Sequence, residues 1–138
     1  GLPLLRFYPD TSDLITNVED AVRLYPDVFK RLESGIDIFN KRKDLRHGLD
    51  DMRLALELLL KHLLSNEKSL ENQNSDLGVY FKNVGISKEI SNTFIQIKRL
   101  YEIFQNNNVK HNDNINPKEV EYIYQQTLCF MNLLLKVQ

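Results

Sequence analysis

The sequence has little cysteine, no tryptophan, no long apolar run and almost no net charge, and most of these absences argue against a class of protein. Its 138 residues include a single cysteine, Cys129, and no tryptophan. One cysteine excludes an internal disulfide framework and a multi-cysteine zinc site, and it predicts a reducing, cytoplasmic location. The longest apolar run covers only residues 128–131, so we expect no membrane span. The net charge of −1 argues against nucleic-acid binding through overall positive charge, so any such contact must depend on a local patch.

Helical periodicity is the main positive signal in the chain. In the third helical segment, apolar residues recur at alternating spacings of four and three, as in a heptad seam: Leu45, Leu49, Met52, Leu56, Leu59 and Leu63. No segment shows the sustained two-residue alternation of a strand. We therefore predict an all-α protein, an antiparallel bundle of four main helices plus short helices. A single domain is expected over residues 17–138, after an extended lead-in over residues 1–16.

Capping signals predict where individual helices begin and end. Pro26 suits the first turn of the second helix, and Asn116 suits the N-cap of the last one. Gly85 predicts a helix end in the left-handed conformation. Ser87 then predicts the start of a helix that continues to about Asn107.

A short basic run lies between the second and third helical segments, at residues 41–46, and contains Lys41, Arg42, Lys43 and Arg46. One interpretation is a solvated connection between helices, which is the usual role of a short basic run. The other is a local nucleic-acid contact in which these side chains bind phosphates. His47 follows directly, so Arg42 and His47 are separated by four residues.

The stretch from Gln105 to Asn116, called here the Asn-rich segment, is more polar than a turn between helices requires. Six asparagines lie between positions 106 and 116, around Lys110, His111 and Asp113. A histidine can transfer protons near neutral pH, a lysine can balance phosphate charge, and an aspartate can fix the histidine tautomer. The alternative is that these side chains only satisfy the backbone groups at two helix ends.

Other motifs indicate no further site. No two histidines have the i, i+4 spacing of a zinc-binding helix, and the sequence contains no glycine-rich phosphate loop. We therefore predict no metal and no cofactor. His62 lies beside the apolar seam, and we expect a structural role for it, because the sequence places no other ionisable group in a cluster with it.

Several short motifs in the second half of the chain form a recognisable set: Leu77-Gly78, Phe81-Lys82, Gly85-Ile86-Ser87-Lys88-Glu89-Ile90, Gln105-Asn106, Val109-Lys110-His111-Asn112-Asp113 and Glu119-Val120-Glu121-Tyr122-Ile123. With these motifs the chain resembles HEPN-type helical domains over about residues 45–136. Such domains are small bundles found in bacterial and phage defence, abortive-infection and toxin–antitoxin systems. The resemblance implies an all-α fold and a link to RNA.

The resemblance also implies roles for particular residues. Active members of that family are metal-independent ribonucleases that usually dimerise and bring together two copies of an arginine–histidine motif. The motif histidine corresponds to His111 and the polar residue after the arginine to Asn107, with Lys110 as phosphate partner and Asp113 as orienting group. The arginine position is Asn106 here, which lacks the guanidinium that binds phosphate in bidentate fashion.

Two functions therefore stay open. The first is a HEPN-like domain of a defence-type protein, which binds RNA or acts as a weak or degenerate ribonuclease, and which forms a homodimer. The second is a non-catalytic protein-interaction or dimerisation module of a larger protein. Asn106 and the near-zero net charge favour the second function.

Overall fold

The computed structural model describes residues 11–105 and 116–138 of the chain. Its helices are α1 (Thr11–Val22), α2 (Pro26–Lys41), α3 (Leu45–Leu64), α4 (Asn74–Asn83), α5 (Lys88–Ser91), α6 (Thr93–Gln105) and α7 (Pro117–Lys136), with a 3₁₀ turn at Leu70–Asn72. These two ranges contain no strand, so the all-α prediction is confirmed for them. The antiparallel arrangement of four main helices stays a prediction. None of the helices in these ranges is long and apolar enough to cross a membrane.

The third helix, α3, is the central helix of the domain, as its heptad seam predicted. Leu49, Met52, Leu56 and Leu59 of the seam are at most 2% exposed. The helix packs against α2, α7 and α4. Contacts with several neighbours explain why its apolar surface is wider than a single stripe.

Two glycines allow α2 and α3 to approach each other closely. A Cβ atom on Gly48 would lie 2.9 Å from Cγ2 of Ile38, and a Cβ atom on Gly35 would lie 3.0 Å from the sulfur of Met52. Both distances are shorter than an ordinary carbon contact of about 3.5–4.0 Å. The spacing of these two helices therefore depends on the missing side chains.

A buried polar contact joins α6 to α7. The Thr127 hydroxyl donates to the Ile123 carbonyl at 2.8 Å, and its oxygen lies 2.6 Å from the Tyr101 hydroxyl. Phe94 stacks on Phe130 with 5.6 Å between ring centroids. The hydroxyl pair satisfies two buried polar groups and fixes the last turns of α6 against α7.

The extended lead-in predicted for residues 1–16 is wrong over residues 11–16, because α1 begins at Thr11. Leu14, Val18 and Val22 recur every four residues, and both valines are fully buried. Pro9 and the polar residues after it precede this short pattern and resemble a turn, which hid the helix start in the sequence. Residues 1–10 lie outside the described part of the chain.

The predicted end of one helix and the predicted starts of two others are confirmed. Gly85 has a φ of 81° and follows the end of α4. The Ser87 side chain accepts a hydrogen bond from the Ile90 amide at 3.3 Å, and the Asn116 side chain accepts one from the Lys118 amide at 3.0 Å. These side chains satisfy amides that the first turn of a helix leaves without partners.

Other helix boundaries were predicted less well. α2 begins at Pro26, as expected, and α4 begins at Asn74, in the mostly polar stretch of residues 65–76. The helix predicted from Ser87 onward is interrupted at Asn92. The hydroxyl of Thr93 donates to the Ile90 carbonyl at 2.7 Å, so a side chain takes an acceptor that a continuous helix would use.

We expect Gly48→Ala to lower the free energy of unfolding by about 1–2 kcal/mol, because the added methyl group overpacks the contact between α2 and α3. Gly78→Ala in α4 is the matched control. A Cβ there meets no atom within 4 Å, so the substitution should stabilise the protein by about 1 kcal/mol through helix propensity. Urea denaturation measures both values. Equal effects of the two substitutions would contradict the close contact.

Candidate functional site

The predicted catalytic residues lie outside the described part of the chain: Asn107, Lys110, His111 and Asp113. The structure does describe the two ends of the Asn-rich segment, Gln105 and Asn116. Contacts of these ends and their neighbours show where the segment leaves the helices and where it rejoins them.

The segment leaves α6 beside the first turns of α3. The side-chain amide of Gln105 donates to Oδ1 of Asp50 at 2.7 Å. Asp50 lies four residues after Arg46, one helical turn from the basic run. One turn before Gln105, Tyr101 is fixed to α7 by its buried hydroxyl contact.

The segment rejoins the helices at the other side of the basic run. Pro117, the first residue of α7, lines a cleft of about 150 Å³, called here the turn cleft, with Arg42, Leu45, Glu121 and Tyr124. Arg42 and Leu45 flank the connection between α2 and α3. One end of the Asn-rich segment therefore adjoins the connection between α2 and α3, and the other end contacts α3 one turn beyond that connection.

The four cations of the basic run differ in their surroundings. Lys41 forms an ion pair with Asp37 at 2.9 Å, which offsets its charge. Arg42 and Lys43 are exposed, and neither pairs with a carboxylate in the described ranges. Arg46 is half-buried. Arg42 and Lys43 are therefore the side chains best placed to meet an anion from solvent.

The backbone of the basic run is strained. Arg42 and Asp44 adopt φ angles of 51° and 57°, in the left-handed region that side chains other than glycine rarely enter. Each such residue costs on the order of 1–2 kcal/mol. These two left-handed residues lie in the short connection between α2 and α3, where Arg42 and Lys43 are exposed.

A buried carboxylate near the start of α3 contacts side chains of α2. Asp51 is 3% exposed and accepts a hydrogen bond from the Ser34 hydroxyl at 2.5 Å. Nη1 of Arg31 and Nε2 of His47 each lie 3.5 Å from its oxygens. These partners offset the cost of burying a carboxylate, and Ser34 and Arg31 link α2 to α3 through it. The sequence did not reveal it, since Asp51 follows Asp50 and resembles an ordinary surface acid.

The expectation that His62 has no ionisable partner is wrong. Its Nε2 atom lies 2.9 Å from Oδ1 of Asp27, and its ring stacks on Tyr25 with 4.6 Å between centroids. Burial tends to raise the pKa of Asp27, but hydrogen bonds from His62 and from the Val28 amide lower it below its usual value. Asp27 lies in the first turn of α2 and His62 in the last turn of α3, so this pair lies at the opposite end of the two helices from the basic run.

The described residues include no group of three or more histidine, cysteine or acidic side chains that could hold a metal ion. Near the turn cleft, the described residues include two exposed cations, Arg42 and Lys43, and side chains that can form hydrogen bonds. Comparison of the chain with protein-family models, curated proteins and solved structures found no match. The function must therefore be argued from the chemistry of these residues.

A second titratable pair joins α1 to α2. A hydrogen bond with Glu33, together with burial and the negative charge of Glu33, raises the pKa of Glu19 to about 7, although Arg23 opposes the shift. On α7, burial and the charge of Glu19 raise the pKa of Tyr124 to about 12. Glu19 therefore binds a proton in the folded protein at a pH where an ordinary glutamate is ionised.

This pair should make the protein more stable at about pH 5 than at about pH 8. The folded-state pKa of Glu19 is raised above its ordinary 4.5, so its stabilising contribution is present at low pH and is lost as the pH rises towards 7. Glu19→Gln should reduce the difference in unfolding free energy between the two pH values. Glu67→Gln, on the exposed connection after α3, is the control. A pH difference unchanged by Glu19→Gln would contradict the assignment.

Proposed function

We propose that this protein is a HEPN-like helical domain that binds RNA at a surface made of the basic run and the Asn-rich segment. The observation that carries the proposal is that one end of the segment shares a cleft with the basic run and the other end contacts α3 one turn beyond that run. Gln105 bonds to Asp50 at 2.7 Å, and Pro117 shares the turn cleft with Arg42. An antiparallel bundle of four main helices and a cytoplasmic, defence-type context are part of the same proposal.

The electrostatics of the described residues support a local and salt-dependent contact. Arg42 and Lys43 are exposed, whereas the chain as a whole carries a net charge of −1. At physiological ionic strength, attraction between exposed charges extends only about 8 Å. RNA phosphates must therefore come close to this run to be bound, and each phosphate contact should contribute about −0.7 to the slope of log affinity against log salt.

The chemistry proposed for the surface is metal-independent cleavage of a phosphodiester. His111 takes the proton of a ribose 2′-hydroxyl, which attacks the adjacent phosphorus, or gives a proton to the leaving 5′-oxygen. Lys110 balances the phosphate charge, and Asn107 and Asp113 orient the reacting groups. Because Asn106 stands at the arginine position of the family motif, we propose that Arg42 supplies the missing guanidinium.

Exposed apolar side chains on α6 support a second candidate function, a protein-interaction or dimerisation module. Ile95 and Ile103 of α6 are 45% and 48% exposed, and they line one groove together with the charged residues Glu71, Lys98, Arg99 and Glu102. Tyr122 on the neighbouring α7 is 55% exposed. Exposed apolar side chains that share a groove favour contact with another protein surface. Homodimerisation through this groove is compatible with RNA binding by the basic run.

A panel of three variants tests RNA binding and cleavage together. We expect Lys43→Glu to weaken binding of a fluorescent single-stranded RNA by about tenfold, because it reverses an exposed charge at the contact. His111→Ala should leave binding within about twofold and abolish the cleavage that the wild type shows in EDTA. Fluorescence anisotropy measures binding, and gel electrophoresis of the RNA measures cleavage.

Lys136→Glu is the matched control for charge, since Lys136 is exposed at the other end of the 20-residue helix α7. That helix is about 30 Å long, so this reversal should change RNA affinity little. If Lys43→Glu and Lys136→Glu weaken binding equally, the basic run is not the contact. If the wild type neither binds nor cleaves RNA, the interaction module is the better function.

A further inference from the structure

Helices α4, α5 and α6 surround a pocket of about 400 Å³ that shares no residue with the turn cleft. Its walls are largely apolar and are formed by Leu77, Phe81, Ile86, Phe94 and Ile95. Small-molecule sites in proteins typically have volumes of about 300–1,000 Å³ and apolar walls with a few polar groups. The pocket therefore has the size and the lining of a ligand site.

A glycine in the wall faces open space in this pocket. Gly78 lies inside α4 and lines the pocket, and a Cβ atom there would meet no atom within 4 Å. Its φ angle is not in the left-handed region, unlike that of Gly85. Neither packing nor backbone conformation requires a glycine at this position, so a side chain placed there extends into the pocket and can be used to fill it.

The charged side chains that line the pocket are all positive. Lys82 and Lys88 line it and are exposed, and neither forms an ion pair within the described ranges. No aspartate or glutamate is among the lining residues. The remaining polar groups come from Asn74, Ser91 and Asn92. The pocket therefore combines apolar walls with two uncompensated cations.

We propose that this pocket binds a small amphiphilic anion. The apolar chain or ring of the ligand packs against Phe81 and Phe94, and its carboxylate or phosphate group binds Lys82 and Lys88. An uncharged apolar molecule would use only the walls, and a small hydrophilic anion would use only the lysines. The site is independent of the proposed RNA surface.

Titration of the full-length protein with three probes of equal chain length tests this site. Octanoate and octyl phosphate carry the two kinds of head group, and octanol carries none. We expect saturable changes in the amide NMR signals of α4, α5 and α6 with one or both anions, and an affinity for octanol at least about tenfold lower. Replacing both Lys82 and Lys88 with alanine should weaken anion binding about fivefold without affecting octanol.

Two substitutions at Gly78 test whether the pocket itself is occupied. Gly78→Leu should fill the space and weaken anion binding by at least about tenfold, whereas Gly78→Ala should change it by less than about threefold. Thermal unfolding checks that both variants fold, and the lysine variants test the site should Gly78→Leu unfold. The proposal is overturned if neither anion gives saturable changes, if octanol binds as tightly as the anions, or if a folded Gly78→Leu binds like the wild type.

Discussion

The close contact between α2 and α3 is the constraint on which the rest of the structure depends. Gly35 and Gly48 remove the side chains that would keep these helices apart, and the buried carboxylate of Asp51 is held between them. The connection between these two closely packed helices is short, with φ above 50° at Arg42 and Asp44. Arg42 and Lys43 of the basic run are exposed in that connection.

The same region brings together two parts of the chain that are distant in sequence. The Asn-rich segment begins about sixty residues after the basic run, yet one of its ends shares a cleft with that run and the other contacts α3 one turn beyond it. The bond from Gln105 to Asp50 and the shared turn cleft of Pro117 and Arg42 produce this proximity. It provides cations close to a segment that carries a histidine and a lysine.

The sequence predicted the features that follow from local spacing, and it missed those that depend on contacts between helices. The buried seam of α3, the caps at Ser87 and Asn116 and the left-handed Gly85 were all predictable, because each depends on residues within a few positions of one another. The start of α1 was missed because turn-like residues precede a short apolar pattern. The pair of His62 with Asp27 joins residues far apart in the chain, so no local pattern could indicate it. The open space beside Gly78 became visible only in the structure.

The central claim is that the basic run and the Asn-rich segment form a single RNA-binding surface. The most direct measurement is the change in backbone amide NMR signals of the labelled protein when a short single-stranded RNA is added in EDTA. The account predicts that signals of residues 41–46 and of Lys110 and His111 shift together and saturate at the same RNA concentration. Shifts confined to the exposed groove of Ile95 and Ile103, or changes at the basic run without any at the Asn-rich segment, would contradict it.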